Sequence, residues 1–280
     1  MQDKPTWLKA IFPRGDGYNE TVKCVRENGV HTVCESAQCP NIGECWAQKT
    51  ATFLILGNVC TRNCAFCAIQ KGRPPLVPDP DEPKRVAEAI AAMGLRYAVI
   101  TSVTRDDLND GGAQHWANTI RAIRTQTPQV RIEVLIPDFW GKEELLDIVF
   151  REKPDVLNHN LETVKSLQAS IRKVARYDVS LKVLQYATQA GLVAKSGLML
   201  GLGETDDEVR EALVDLRKVG CQRLTLGQYL QPTPKHAPVK RWVTPQQFVD
   251  WKTFALALGF AHVESGPLVR SSYHAGNAVF

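Results

Sequence analysis

Cys60, Cys64 and Cys67 stand in the stretch CTRNCAFC, a CxxxCxxC spacing that directly follows the apolar run ATFLILGN. A structural zinc site wants four nitrogen or sulfur ligands in tetrahedral array, commonly from two CxxC-type pairs, and this loop offers three thiols with no convincing fourth nearby. A cubane cluster fits better. A [4Fe-4S] cluster normally takes four thiolates, so a loop of three cysteines leaves one iron open for a small molecule. Upstream, HTVCESAQCPNIGECW sets Cys34, Cys39 and Cys45 in a CxxxxCxxxxxC spacing, with Pro40 and Gly43 bending the chain so that separated thiols can converge on one metal centre. A second cluster is the natural reading, again with one iron short of a thiolate.

Composition limits the alternatives. Six of the eight cysteines fall between positions 34 and 67, and Cys24 and Cys221 stand apart, where they read as small structural residues. No charged leader precedes an apolar stretch at Met1, so we expect no targeting segment, a cytoplasmic location and a metal or redox use of the thiols rather than a disulfide framework. The longest apolar runs fall far short of the ~20 residues of a membrane span. A net charge of +4 over 280 residues, with no block of five basic residues, argues against a nucleic-acid partner. With 44% hydrophobic and 23% charged residues, the chain reads as an ordinary folded protein large enough to bury a sizeable core.

The elements that must position the thiols follow from residue 51 onward. Six β-branched, apolar runs, ATFLILGN, YAVITSV, VRIEVLI, VLNHNL, AKSGLMLGL and RLTLGQY, alternate with segments of helical period. PKRVAEAIAAMG places Val86, Ile90 and Met93 on one face behind Pro83. TDDEVREALVDLRKVG opens with Thr205 and Glu208 as a capping box and closes at Gly220, and TPQQFVDWKTFALALG repeats the plan behind Thr244. Strand-helix units with nearly continuous apolar strands imply an α/β fold around a parallel sheet buried on both faces, curled into a barrel or doubly wound; the pattern does not choose between them. In either arrangement functional groups gather at the carboxyl ends of the strands, and the CTRNCAFC loop sits just after the first strand.

The aromatic Phe66 before the last cysteine makes CTRNCAFC resemble the signature of the radical S-adenosylmethionine superfamily. With the upstream triad in this order, and with TSVTRDDLNDGGAQH, NHNLET, SGLMLGLGET, GQYLQP and RSSYHA further on, the chain resembles the lipoyl synthases from KPTWLK to near its end. The resemblance implies a partial (β/α)6 TIM-type barrel at residues 51–260, an N-terminal extension over 1–50 carrying the auxiliary triad, and a C-terminal tail at 261–280 returning the RSSY motif. It implies a sulfurtransferase that inserts two sulfur atoms at C6 and C8 of a protein-bound octanoyl-lysine. Such C–H bonds carry no acidic proton, so a cofactor-derived radical must open them. In that reaction S-adenosylmethionine is cleaved at one [4Fe-4S] cluster, and the auxiliary [4Fe-4S] cluster is consumed as the sulfur source.

On this resemblance, Cys60, Cys64 and Cys67 bind the cleaving cluster, and Cys34, Cys39 and Cys45 with Ser271 bind the sacrificial one. Phe66, Thr101, Ser102, Asn158 and Glu162 are expected around S-adenosylmethionine, and Arg172 or Lys195 is expected to pair with its carboxylate. His159 and His236 read equally well as loop histidines that satisfy backbone groups. Partners implied are octanoylated lipoyl carrier domains (2-oxoacid dehydrogenase E2 subunits and the glycine-cleavage H protein), an electron donor such as a ferredoxin or flavodoxin, and a cluster-repair protein. The chain departs from the family at VKSLQASIRK, where Lys165 and Ser166 replace a Pro and an Arg, and at Trp242 in place of Tyr. Two other readings fit part of the pattern: a biotin-synthase-like or methylthio-transferring radical enzyme, which needs no RSSY motif, and a zinc module that binds nucleic acid through a basic face.

Overall fold

A computed structural model of the chain, described for residues 4–277, turns all six apolar runs into strands of one sheet. In chain order the strands are β1 (His31–Thr32), β2 (Thr52–Ile55), β3 (Val59–Cys60), β4 (Gln70–Lys71), β5 (Tyr97–Ser102), β6 (Arg131–Leu135), β7 (Val156–Asn158), β8 (Val193–Leu200), β9 (Arg223–Gln228) and β10 (His262–Gly266). The main sheet runs β1-β2-β5-β6-β7-β8-β9-β10, while β3 and β4 form a small ladder of their own within the cysteine loop. Every main-sheet pairing is parallel except β1 with β2. All residues of β2 and β9 are buried, as strands covered on both faces must be. The two edge strands do not pair, so the barrel is partial and open along one side.

The sheet is wider than the sequence led us to expect. β10 lies in the segment read as a C-terminal tail, pairing His262 with Arg223 through to Gly266 with Gly227. HVESG carries one fully apolar side chain in five residues, too weak a pattern to announce a strand, although the helix before it is the crossover of one more strand-helix unit. The expected boundary at 260 therefore separates that helix from its own strand.

The helices are α1 (Asp16–Glu27), α2 (Val33–Ser36), α3 (Ile42–Ala47), α4 (Glu82–Ala92), α5 (Ala113–Gln126), α6 (Glu143–Phe150), α7 (Gln168–Ile171), α8 (Tyr177–Gln189), α9 (Asp206–Lys218) and α10 (Pro245–Ala257). Reciprocal capping boxes open α9 (Thr205 with Glu208) and α10 (Thr244 with Gln247), and Gly220 ends the α9 turn at φ +84°. Apolar faces of α4, α5 and α9, including Ile90, Trp116, Leu213 and Leu216, close over Phe53, Ile100 and Leu224 of the sheet with side chains essentially removed from solvent. Each such side chain contributes about 1.5–3 kcal/mol of burial.

The N-terminal segment packs as part of this body. Trp46 of α3 is fully buried beside Tyr18 of α1, with ring centroids 5.5 Å apart, and Thr21 Oγ1 donates to the Trp46 carbonyl at 2.9 Å. Among the described residues, no helix is long and apolar enough to cross a membrane.

Candidate active site

The CTRNCAFC loop starts where β2 ends, and that end is pinned. The buried Glu82 carboxylate accepts hydrogen bonds from the backbone N–H of Leu56 at 2.7 Å and of Gly57 at 3.2 Å, and it meets His115 Nε2 at 2.7 Å. The β3–β4 ladder then pairs Cys60 with Lys71 and closes the loop. Thr104 N–H donates to Cys60 Sγ at 3.3 Å, Ala65 N–H to the Ile171 carbonyl at 2.8 Å, and Ala237 N–H to the Ala65 carbonyl at 2.9 Å. Phe66 packs into a small apolar cluster with Ile171, Leu202 and Tyr229. The loop is thus held from three sides before any cofactor enters.

The upstream triad is built by short helices. Thr32 caps α2 by accepting from Glu35 N–H, Cys39 N–H bonds the Cys34 carbonyl at 2.9 Å, and Cys45 N–H bonds the Asn41 carbonyl at 2.9 Å. The C-terminal segment comes back over it: Asn41 Nδ2 donates to the Leu268 carbonyl at 2.7 Å, and Tyr273 OH meets both Glu44 carboxylate oxygens at 3.1 Å. Its course over β9 depends on Gly227, where a Cβ would stand 2.0 Å from the Val269 carbonyl oxygen. Ser271 Oγ receives Asn160 Nδ2 at 3.2 Å, and Ser272 Oγ receives Thr52 Oγ1 at 2.8 Å.

All six clustered cysteines, Ser271 and Ser272 line one cavity of about 530 Å³ at the carboxyl ends of the strands. Burial, reinforced by neighbouring thiols, pushes Cys34 up to about 11 and Cys45 and Cys67 up to about 12; burial also raises Cys39 and Cys64. Thiols kept neutral in this way ionise when a metal takes the place of the proton, so loading releases protons. Among the described residues, no three His, Cys, Asp or Glu side chains close on one point as ligands of a single ion would. Three thiols that line the same cavity as a serine hydroxyl match the donor count of a polynuclear cluster, whose thiolates bind separate irons.

The model of the radical SAM superfamily matches residues 54–216. The chain is 57% identical to the lipoyl synthase of Chlorobaculum parvum over 273 residues, 97% of this chain and 94% of that one, and 55% identical to the lipoyl synthase of Bacteroides thetaiotaomicron over 97% and 96%. The chain belongs to the lipoyl synthase family. Among solved structures, coproporphyrinogen III oxidase from Escherichia coli, a radical SAM enzyme, shares the fold at a TM-score of 0.54 and 15% identity, covering 80% of this chain and 57% of that one. As a lipoyl synthase the protein is a sulfur-inserting enzyme of the radical SAM superfamily, with S-adenosylmethionine and [4Fe-4S] clusters as its cofactors.

Most of the residues expected around the lipoyl synthase cofactors reach the cavity. Phe66, Thr101, Ser102, Glu162 and Arg172 all line it. Thr101 Oγ1 donates to the Leu135 carbonyl at 3.0 Å, whereas the buried Ser102 Oγ has no partner. Burial raises the Glu162 carboxyl above its ordinary range against the opposing pull of Arg172. Arg172 is itself lowered by burial, and its Nη1 donates to the Asn160 and Leu161 carbonyls and to Ser180 Oγ.

Asn158 and Lys195 are placed elsewhere. They pair with each other across β7 and β8, and both side chains turn to Glu133, at 3.1 Å from Asn158 Nδ2 and 2.8 Å from Lys195 Nζ, in a buried polar layer outside the cavity lining. An ammonium in that position has its counter-charge already. His159 bonds the Ile136 carbonyl and Ser180 of α8, and His236 bonds Thr233 and the Cys67 carbonyl, so both rings have partners within the protein. Lys165 and Ser166 line a separate cleft with Tyr177, Glu208 and Glu211. Arg62, Asn160, Arg270 and Tyr273 also line the main cavity and were not singled out in the sequence; the charges at 62 and 270, adjoining the cysteine and serine motifs, were the available signal.

Proposed function

We propose that Cys60, Cys64 and Cys67 hold the cleaving cluster and that Cys34, Cys39, Cys45 and Ser271 hold the sacrificial one, so that this chain converts protein-bound octanoyl-lysine to lipoyl-lysine. The observation that carries this reading is that both triads and Ser271 face one cavity. When bound, the cofactors supply the radical chemistry that opens the C6 and C8 hydrogens and the sulfur that replaces them. The protein's part is positional. Thr101, Ser102, Glu162 and Arg172 give the cavity its polar wall for the amino-acid end of S-adenosylmethionine, and Phe66 gives it an apolar one. The enclosure keeps water away from reactive carbon.

Residues 1–50 and the C-terminal return to Ser271 act as the auxiliary-cluster module, and the barrel body begins at 51 and includes β10. Carrier proteins bearing octanoyl-lysine, a ferredoxin- or flavodoxin-type electron donor and a cluster-repair protein are the partners of this cycle in the cytoplasm. Mössbauer spectra and bound iron of Ser271→Ala and Ser272→Ala proteins test the ligand set. Ser271→Ala alone is expected to change the unique iron site of the auxiliary cluster and to suppress sulfur insertion while 5'-deoxyadenosine still forms. Wild-type insertion by Ser271→Ala would show that this hydroxyl is not a ligand.

A further inference from the structure

The two halves of the CTRNCAFC loop are anchored by different physics. Cys64 to Cys67 carries Phe66, which is packed among Ile171, Leu202 and Tyr229. Cys60 to Cys64 carries no large apolar side chain of that kind; its centre is Arg62, whose side chain is 6% exposed. Arg62 Nε and Nη2 meet the two carboxylate oxygens of Asp106 at 2.7 and 2.9 Å, and Nη1 and Nη2 meet those of Asp138 at 2.7 and 2.8 Å. One guanidinium therefore makes two forks, to the loop after β5 and to the loop after β6. Asp138, 4% exposed at its side chain, also accepts from Trp140 N–H at 3.1 Å. The adjoining Thr61 reinforces the tie: its hydroxyl donates to the Thr104 carbonyl at 2.9 Å and accepts from Asp106 N–H at 3.1 Å.

We infer that Arg62 is a positioning residue for the cleaving cluster, clamping the Cys60–Cys64 segment against the two following strand-end loops so that the three thiols keep one spacing. This rests on the assignment of Cys60, Cys64 and Cys67 as ligands. Buried ion pairs of this kind add little net stability over apolar packing, so their use here is geometric. Only Arg presents the planar fork that two carboxylates can share, and Lys cannot replace it.

The test compares anaerobically reconstituted wild type, Arg62→Lys, Arg62→Gln and the milder Asp106→Asn, which leaves the Arg62–Asp138 fork in place, with a Cys60→Ala/Cys64→Ala/Cys67→Ala protein as reference. Iron, sulfide and the electron paramagnetic resonance of the reduced clusters are read for each. The clamp predicts that Arg62→Gln loses the cleaving-cluster signal at least tenfold and falls to the iron content of the reference. Arg62→Lys should lose most of the signal and Asp106→Asn a smaller part, with the auxiliary cluster full in all of them. Full loading with an unchanged signal in Arg62→Gln, or equal loss of both clusters, overturns the positioning role. If the reference itself retained a full complement of iron, the ligand assignment would be at fault and not the clamp.

Discussion

Asn160 donates its side-chain amide to Ser271 Oγ at 3.2 Å, and the same nitrogen reaches Glu162 Oε1 at 3.0 Å. One residue at the end of the fourth barrel strand thus touches both the hydroxyl assigned to the sacrificial cluster and a carboxylate on the side of the cavity assigned to S-adenosylmethionine. Replacing Asn160 with Ala leaves that hydroxyl without its guide. We expect 5'-deoxyadenosine formation to stay within about threefold of wild type and sulfur insertion to fall about tenfold, the cost of one well-placed hydrogen bond of ~1.4 kcal/mol. Parallel assays of the two products check the split.

Gly227 controls whether the tail can lie where it does. A methyl group there would stand 2.0 Å from the Val269 carbonyl oxygen, and backbone on both sides has little room to yield. Gly227→Ala is expected to cost about 1–3 kcal/mol in stability and to lower auxiliary-cluster iron while sparing the other cluster. Denaturant titration together with iron analysis measures both effects.

His159 gives the protein a pH dependence with a definite sign. Burial, helped by the nearby Arg172 charge, lowers the ring to about 4, so the folded state holds it neutral where the unfolded chain, near 6.5, takes up a proton. Stability from this group is complete above pH 6.5 and is lost as pH falls toward 4. The slope is about 1.4 kcal/mol per pH unit once the unfolded chain is protonated, or roughly 2 kcal/mol by pH 5. Chemical denaturation at pH 7.5 and pH 5 should show that difference, and His159→Gln should flatten it.

Lys195 separates a structural ammonium from a substrate contact. Its partner Glu133 is fully buried and also accepts from Tyr97 OH at 2.6 Å. Lys195→Met takes the ammonium away from that buried carboxylate, and we expect about 3–5 kcal/mol of lost stability. The KM for S-adenosylmethionine in the surviving folded protein should be unchanged, which equilibrium unfolding and steady-state kinetics can establish. A raised KM with normal stability would return Lys195 to the cofactor site.

How far these features were legible before folding differs from residue to residue. Thr205 with Glu208, Thr244 with its proline, and the six apolar runs are local signals, and each formed its expected element. β1 and β10 carried no such signal, the first being two residues long and the second mostly polar. The triads were legible because cysteine spacing is itself local. Depth along a strand is not: period-two alternation says which face Lys195 takes but not that it stops at the level of Glu133, outside the cavity lining. Arg62 was invisible for a related reason, since its two carboxylates lie 44 and 76 positions away.

As a lipoyl synthase, this chain is expected to put two sulfur atoms of its own auxiliary cluster into an octanoyl chain. The most direct test is one anaerobic turnover of reconstituted protein, its cluster sulfide isotopically labelled, with an octanoyl-lysine carrier domain, S-adenosylmethionine and a reductant, followed by mass spectrometry of the acyl group. The expected result is an acyl chain carrying two labelled sulfurs and loss of the auxiliary cluster in the same sample. Formation of 5'-deoxyadenosine with an unmodified octanoyl chain would contradict it.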